Sequence, residues 1–464
     1  MTASAVASLV NDIKKTTMNG SQKPYLLFAA APIDGHTIPP SRIAADLIRR
    51  GYEITFIGGE QFEGTIKAIG ADFVPLQTAL TPEIIAERDA IPAGIPRLLY
   101  DMKHIFVGRT PERWAILKAQ LERLRAEMPG REIIVVNETF YMGANPLALG
   151  APLPKGFDAK PKVINLHAVP YIATSIDTGP VGPGLPPDAT ESGRARNQLL
   201  NQMMIMGPFA EVLVEQDKML EQLGTTTKLT PELPFHHWMT MHDTTLQLCP
   251  PSLEYPRSDM PPNIRFAGCP MPKPIAADYE YPEWWSDVTR GDRKVVAVTQ
   301  GTVANDYTDL LIPSIKALAD RDDILVVAIL GHRGTKLDSS VTIPSNVRVV
   351  DYLPYDAVLP YASVFVLNAG YGGFLHGMTN GVPMVLAGES EDKPEIAMRG
   401  SWSGVAVNLR TGRPSVAAVR AGVDQVLGNE SFKVRVNEVR RENEALSVFD
   451  VVEREILAAQ EVKA

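Results

Sequence analysis

Short apolar runs, each closed by glycine, proline or polar residues, recur along the chain and read as buried parallel strands. In the first half they fall at 25–30 (YLLFAA), 53–59 (EITFIGG), 72–76 (DFVPL) and 133–137 (IIVVN). Between the first two, Ile43, Ala44, Leu47 and Ile48 recur at helical spacing, which predicts a helix over 41–50 after a loop over 31–40. Pro39 and Pro40 stand where that helix would begin, a position proline tolerates, and Gly51 stands where it would stop. Strand, loop, helix, strand is a βαβ unit, and a helix over about 60–69 extends it. The pattern returns at 294–299 (KVVAVT), 324–330 (ILVVAIL), 347–352 (VRVVDY), 363–370 (SVFVLNAG) and 382–388 (VPMVLAG). A helical stripe of Leu310, Leu311, Ile315 and Leu318 lies after the first of these. Residues 83–130 and 190–245 read as helical but irregular.

Between the two series the composition shifts. Residues 250–274 hold eight prolines, which reads as a linker. The expected fold class is α/β, with two doubly wound Rossmann-like domains facing each other across a cleft. The expected boundaries are a leader over 1–22, a first domain over 23–250, a linker over 251–290 and a second domain over 291–433. Ligands of such sheets bind beyond the carboxyl ends of the strands. The loops to inspect are therefore 31–40, 137–146, 300–306, 352–356, 368–376 and 388–395.

A chain of 464 residues accommodates two domains. Its formal net charge of −9 argues against nucleic acid or an anionic membrane as the main partner. Two cysteines, Cys249 and Cys269, build neither a disulfide scaffold nor a four-ligand metal cluster. No apolar run approaches the roughly 20 residues of a membrane span, and the N-terminus lacks a charged-then-apolar signal pattern. A soluble, cytoplasmic protein is expected, as monomer or homodimer.

Candidate chemistry sits in the strand-end loops. Gly370-Tyr371-Gly372-Gly373 follows an apolar strand and opens a short helical segment, which suits phosphate; glycine-rich turns also serve tight packing. No Walker-type lysine follows, and the first βα turn lacks a dinucleotide fingerprint. His36, in Asp34-Gly35-His36, stands at the end of the first strand, where neutral imidazole can take a proton if a carboxylate orients it. Glu138 is the candidate carboxylate and Asn137 its competitor. Glu391-Asp392-Lys393 is either a solvated turn or a sugar-binding one. Phe106, Met203 and Met206 lie in segments rich in Met and aromatic residues, which suit an adaptable apolar pocket or ordinary helix packing.

Taken together, these elements resemble the family-one inverting, UDP-sugar-dependent glycosyltransferases of GT-B fold, over about residues 24–457. The family's Gly-His-x-x-Pro stands as Gly35 to Pro39. Its Trp-x-Pro-Gln-x-x-Val-Leu stands as Tyr352 to Leu359, its His-Cys-Gly-Trp-Asn-Ser as Asn368 to Gly373, and Gly-Val-Pro-Met is intact at Gly381 to Met384. The terminal acidic-Gln pair is Asp392-Lys393. Asn368 replaces the diphosphate histidine, His376 the ribose glutamate and Lys393 the glutamine, departures that point to the bacterial and fungal branch.

The resemblance implies a hexosyltransferase that uses a UDP-sugar, with glucose the first choice, as co-substrate and needs no metal or other cofactor. Tyr352, Leu353 and Tyr355 would flank the uracil. Gln300, Gly301 and Thr302, with Asn368, Gly370, Gly372 and Gly373, would surround the diphosphate. His376 takes the ribose position, and Asp392 and Lys393 would hold the sugar. His36 would deprotonate the hydroxyl of a small lipophilic acceptor such as a phenol, polyketide, flavonoid or sterol, with Glu138 stabilising the imidazolium. Asp34, Phe106, Phe140, Met203 and Met206 would line the acceptor. The last helix, about 434–458 within the terminal segment 434–464, would cross back onto the first domain through Leu446, Val448, Phe449, Val452 and Ile456. Two other readings stand beside this one: a UDP-sugar epimerase of the same fold, and a non-catalytic or partner-dependent nucleotide-sugar binder.

Overall fold

The computed structural model describes residues 22–92, 94–302, 304 and 306–461, so the expected leader, Gln22 apart, lies outside the described residues. The apolar runs form two parallel sheets. The first contains β1 (Tyr25–Ala29), β2 (Ile54–Gly59), β3 (Asp72–Leu76), β4 (Ile133–Glu138), β5 (Val163–His167), β6 (Thr244–Gln247) and β7 (Ile264–Phe266), in the order β3-β2-β1-β4-β5-β6-β7. The second contains β8 (Lys294–Thr299), β9 (Ile324–Ile329), β10 (Val347–Val350), β11 (Ala362–Leu367), β12 (Met384–Leu386) and β13 (Ala406–Asn408), in the order β10-β9-β8-β11-β12-β13. Every strand pair is parallel, and Leu26 of β1 pairs with both Ile54 and Ile134.

Continuous apolar strands are what such sheets require, because helices cover both faces. Along β1, Leu26 and Phe28 enter one core with Ile43, Leu47 and Ile134. Tyr25, Leu27 and Ala29 enter the other, with Trp114, Leu117 and Leu121 from the helix Thr110–Glu127. The alternation is the period of two of a strand. β8 does the same, Val296 and Val298 facing one core and Val295 and Ala297 the other. In both sheets the chain reverses its direction of winding beside the first strand, at β1/β4 and at β8/β11. The loops after those four strands therefore meet at the two switch points, where ligands of such sheets bind.

Three expectations need correction. The helix after β1 runs Asp34–Arg49, not 41–50, so His36 lies in its first turn and Pro39 and Pro40 lie inside it. Those prolines leave the Gly35 and His36 carbonyls without an i+4 amide, a cost tolerated near a helix start. The proline-rich segment is not only a linker, because it contributes β7 to the first sheet. The expected single helix over 434–458 is two helices, Ser431–Leu446 and Val448–Glu461, broken at Ser447 with φ of +53°. The former packs Val436 and Val439 into the second domain's core. The latter buries Val448, Val451, Val452 and Ile456 against β1 and the helix Asp34–Arg49. Arg50 locks that crossing with Glu453 at 2.6 Å and Asp450 at 2.7 Å.

Candidate active site

The first switch point brings His36 and Glu138 together. His36 Nδ1 lies 2.8 Å from Glu138 Oε1, with the carboxylate fully buried and the imidazole nearly so. Glu138 ends β4, where successive side chains face opposite ways. Its neighbour Asn137 accordingly turns to Asn165, donating at 2.9 Å, which decides between the two candidates. Glu138 also accepts from the Phe140 amide at 3.1 Å and the Ala31 amide at 3.4 Å. With both Glu138 oxygens already accepting from amides, His36 Nδ1 is the donor of the pair and Nε2 keeps its lone pair. Burial works to lower the His36 pKa, but the charge and hydrogen bond of Glu138, with the more distant charge of Asp392, outweigh it and raise it above the ordinary value.

Aromatic rings wall this pair. Phe140 lies 4.7 Å and Phe106 6.1 Å from the His36 ring, centroid to centroid. Phe106 closes a π-helical turn, Met102–Phe106, a form often found at functional sites. Arg113, wholly buried, ties that turn to the Glu138 turn by donating to the carbonyls of Ile105, Phe140 and Tyr141. Burial brings its pKa down to about 10. Behind Phe140, His167 Nε2 faces the Pro170 carbonyl at 3.0 Å, so Nε2 is the donor and Thr139 supplies a hydroxyl proton to Nδ1. Burial pushes the His167 pKa down to about 4, which keeps it neutral. Asp34 is exposed at the helix start. Met203 and Met206 are 57% and 73% exposed, and it is Met204 that turns inward to the cluster around Phe140.

The second switch point gathers the loops after β8 and β11. Asn368 Nδ2 donates to the Gln300 carbonyl at 2.5 Å, and Asn368 Oδ1 accepts from the Gly370 amide at 3.4 Å. Gly301 has φ of +74° and Thr302 is held through its carbonyl by His332 Nε2. Gly370 caps the helix Tyr371–Thr379 without a side-chain hydrogen bond, leaving the first-turn amides of Tyr371, Gly372 and Gly373 free among the described residues. A Cβ at Gly372 would meet nothing within 4 Å. Two expected donor residues aim elsewhere. The Gln300 side chain is buried, accepting from the Leu310 and Leu311 amides, and Leu353 is in the hydrophobic core. Tyr352 is exposed with Arg333 over its ring at 4.6 Å. Tyr355 is half-buried against Phe365 and 5.6 Å from the His376 ring. His376 Nδ1 lies 2.8 Å from Asp356 Oδ1, a second histidine–carboxylate pair.

The loop before the helix Lys393–Trp402 closes the site. Glu391 has a left-handed φ of +51°, as do Ala369 (+60°) and Met142 (+65°) in the other cleft loops. Non-glycine residues held so store of order 1–3 kcal/mol each, and they gather where function constrains the backbone. Lys393 Nζ bonds Ser390 Oγ at 2.8 Å and pairs with Glu391. The Asp392 carboxylate takes no hydrogen bond from another described residue and interacts electrostatically with His36. Burial pushes its pKa up, against the charge of Lys393.

Residues 314–456 match the family model described as Erythromycin biosynthesis protein CIII-like, C-terminal domain. UDP-glucosyltransferase 1 of Beauveria bassiana is 48% identical over 431 residues, covering 92% of this chain and 94% of its own. UDP-glucosyltransferase A1 of Starmerella bombicola is 36% identical, covering 94% and 92%. The chain belongs to the family-one UDP-glycosyltransferases. The solved glycotransferase of kitacinnamycin is similar in fold, with a TM-score of 0.67, 21% identity, and coverage of 94% of this chain and 100% of its own. The two-sheet architecture of this transferase is thus the GT-B fold, and its co-substrate is a UDP-sugar. Among the described residues no group of three or more His, Cys, Asp or Glu gathers as metal ligands, and no helix is long and apolar enough to cross a membrane.

Sequence reasoning missed Arg113, Arg333, His332 and Arg88 at this cleft. None belongs to a local motif. Arg113 is a helix residue whose carbonyl partners lie in two separate turns, at Ile105 and at Phe140–Tyr141, and Arg88 meets Glu391 across 303 positions of chain.

Proposed function

We propose that this transferase moves glucose from UDP-glucose to a hydroxyl of a small lipophilic acceptor, with inversion at the anomeric carbon. The observation that carries the reading is the His36–Glu138 pair, 2.8 Å apart in a nearly dry aromatic wall. Glu138 fixes the tautomer, so Nε2 is the base. It takes the acceptor proton as the acceptor oxygen bonds to the anomeric carbon. The bond from that carbon to the diphosphate oxygen breaks, and its electrons leave with UDP. A single displacement from the opposite face turns an α-linked donor into a β-glycoside. Glu138 stabilises the imidazolium that results.

On the donor side, the free amides of Tyr371, Gly372 and Gly373 and the helix N-terminus receive the leaving diphosphate. Asn368 holds the Gln300 and Gly370 loops at the spacing this needs. Tyr352, with Arg333, is the stacking surface for the base. With Nδ1 committed to Asp356, His376 offers Nε2 as an acceptor, so it takes one ribose hydroxyl where a glutamate takes two. Asp392 and Lys393 hold the sugar. Phe106, Phe140 and the His36 ring face the lipophilic acceptor.

General-base removal costs about 10²–10⁴-fold in rate. His36→Ala is expected to lower kcat for acceptor-dependent UDP release from UDP-glucose by about 10³-fold, with UDP affinity within threefold. Retained turnover would refute the base; UDP binding lost in parallel would make His36 a structural residue.

A further inference from the structure

The sugar loop is not held by its own domain alone. Arg88, on the helix Pro82–Ala90 of the first domain, donates from a terminal guanidinium nitrogen to Glu391 Oε1 at 2.9 Å. The same guanidinium forks onto Asp101, at 2.8 Å and 3.1 Å. Asp101 is buried and ends the helix Ile95–Asp101, which runs directly into the π-helical turn that carries Phe106. Arg88 is only 14% exposed, so this is a shielded pair rather than a solvent-screened surface one. On the other side, Glu391 is gripped by Lys393 and by the Ser390 hydroxyl at 2.5 Å. Its backbone stays left-handed, a conformation that persists only where the surroundings over-determine it. Asp392, the next residue, interacts electrostatically with His36, and its carboxylate takes no hydrogen bond from another described residue.

We propose that Arg88, a first-domain residue outside the nucleotide-binding half, is a specificity-determining positioning residue for the donor sugar, acting through Glu391 on Asp392 and Lys393. The inference rests on the reading in which Asp392 and Lys393 hold the sugar. Arg88 touches no donor atom. It fixes the loop in the one backbone conformation that points Asp392 into the cleft. UDP binds the loops after β8 and β11 and is indifferent to Arg88; the glucosyl group is not.

The test compares the affinities of UDP-glucose and of UDP alone by calorimetry, with no acceptor present. Arg88→Gln and Glu391→Gln are each expected to weaken UDP-glucose about tenfold and to leave UDP within twofold. The double variant is expected to be no weaker than the weaker single one, because the two residues act as one pair. Arg88→Lys, which keeps the charge, should recover part of the loss. Equal weakening of both ligands, unchanged affinity for both, or effects that multiply in the double variant would overturn the proposal. Asp392→Asn separates the two failures. If it loses the UDP-glucose advantage while Arg88→Gln keeps it, the clasp is wrong. If Asp392→Asn also keeps that advantage, the sugar-loop reading is wrong and the proposal falls with it.

Discussion

His36 carries two opposed demands. Burial disfavours its charge, which suits the proposed role of a base that waits neutral, while Glu138 favours the charge, which suits the imidazolium of that proposed role. The net direction is upward. A base is inactive once protonated, so on the proposed mechanism activity should fall as pH drops through a value above that of an ordinary histidine. Replacing Glu138 by Gln removes the attraction and leaves the burial. The His36 pKa should then fall, moving the acid limb of kcat/KM to lower pH, while kcat drops about 10²-fold because the imidazolium loses its partner. A pH–rate profile of Glu138→Gln checks both. An acid limb that stays in place would mean that another group governs it. Asn137 offers no substitute, since it follows the alternation of β4 to the opposite face and turns to Asn165.

The helix Tyr371–Thr379 separates stability from binding at one position. Gly372 has ordinary backbone angles, and a Cβ there meets nothing within 4 Å. Nothing in the fold requires glycine, and alanine is the better helix former by up to about 1 kcal/mol. Gly372→Ala should therefore leave Tm unchanged or slightly higher while weakening UDP at least tenfold, because the methyl occupies the diphosphate's approach. A Tm scan beside UDP calorimetry checks it, and undiminished UDP affinity would remove the phosphate from this helix end. The same element was legible in the sequence, since an apolar run followed by Gly370 to Gly373 marks a strand ending at a helix. Strands such as β4 and β8 were legible for the same reason, as unbroken apolar runs. β5 (VINLH), β6 (TTLQ), β7 (IRF) and β13 (AVN) were not, being short and carrying polar residues that break the apolar run. Asn165, for example, is satisfied by Asn137, Thr245 and the Trp238 carbonyl, all distant in sequence. The helix from Asp34 was misread because Pro39-Pro40 fits a helix start as well as it fits a tolerated interior. Of the candidate site, His36 and Glu138 stood in recognisable strand-end positions. The clasp of Arg88 did not, because ion pairs across a cleft leave no local spacing.

At the scale of the whole molecule, the two domains meet through charges taken out of water. Arg399 donates to Glu254 Oε2 at 2.8 Å and to the Tyr171 carbonyl at 2.8 Å, and pairs with Glu395 at 3.1 Å. Glu395 in turn accepts from the Gly182 and Gly184 amides, both at 3.0 Å, across the interface. All three side chains are almost fully buried. Such a pair is weak evidence for net stability, yet removing one member leaves the others as uncompensated buried charges, which costs about 3–5 kcal/mol. Arg399→Met keeps the volume and deletes the charge. It should lower unfolding stability by that amount in urea, and Glu254→Gln added to it should recover part of the loss by removing one stranded carboxylate. Arg257 stands 3.8 Å from Glu254 and is, among the described residues, the other cation paired with it. A loss under 1 kcal/mol would mean that Arg257 has taken over the pairing. The helix Lys393–Trp402 carries Glu395 and Arg399 on the side that faces the first domain and opens at Asp392 and Lys393. The network that joins the domains therefore also sets where the Asp392–Lys393 loop lies, and with the sugar role proposed for that loop Arg399→Met should weaken UDP-glucose more than UDP for the same reason that Arg88→Gln does.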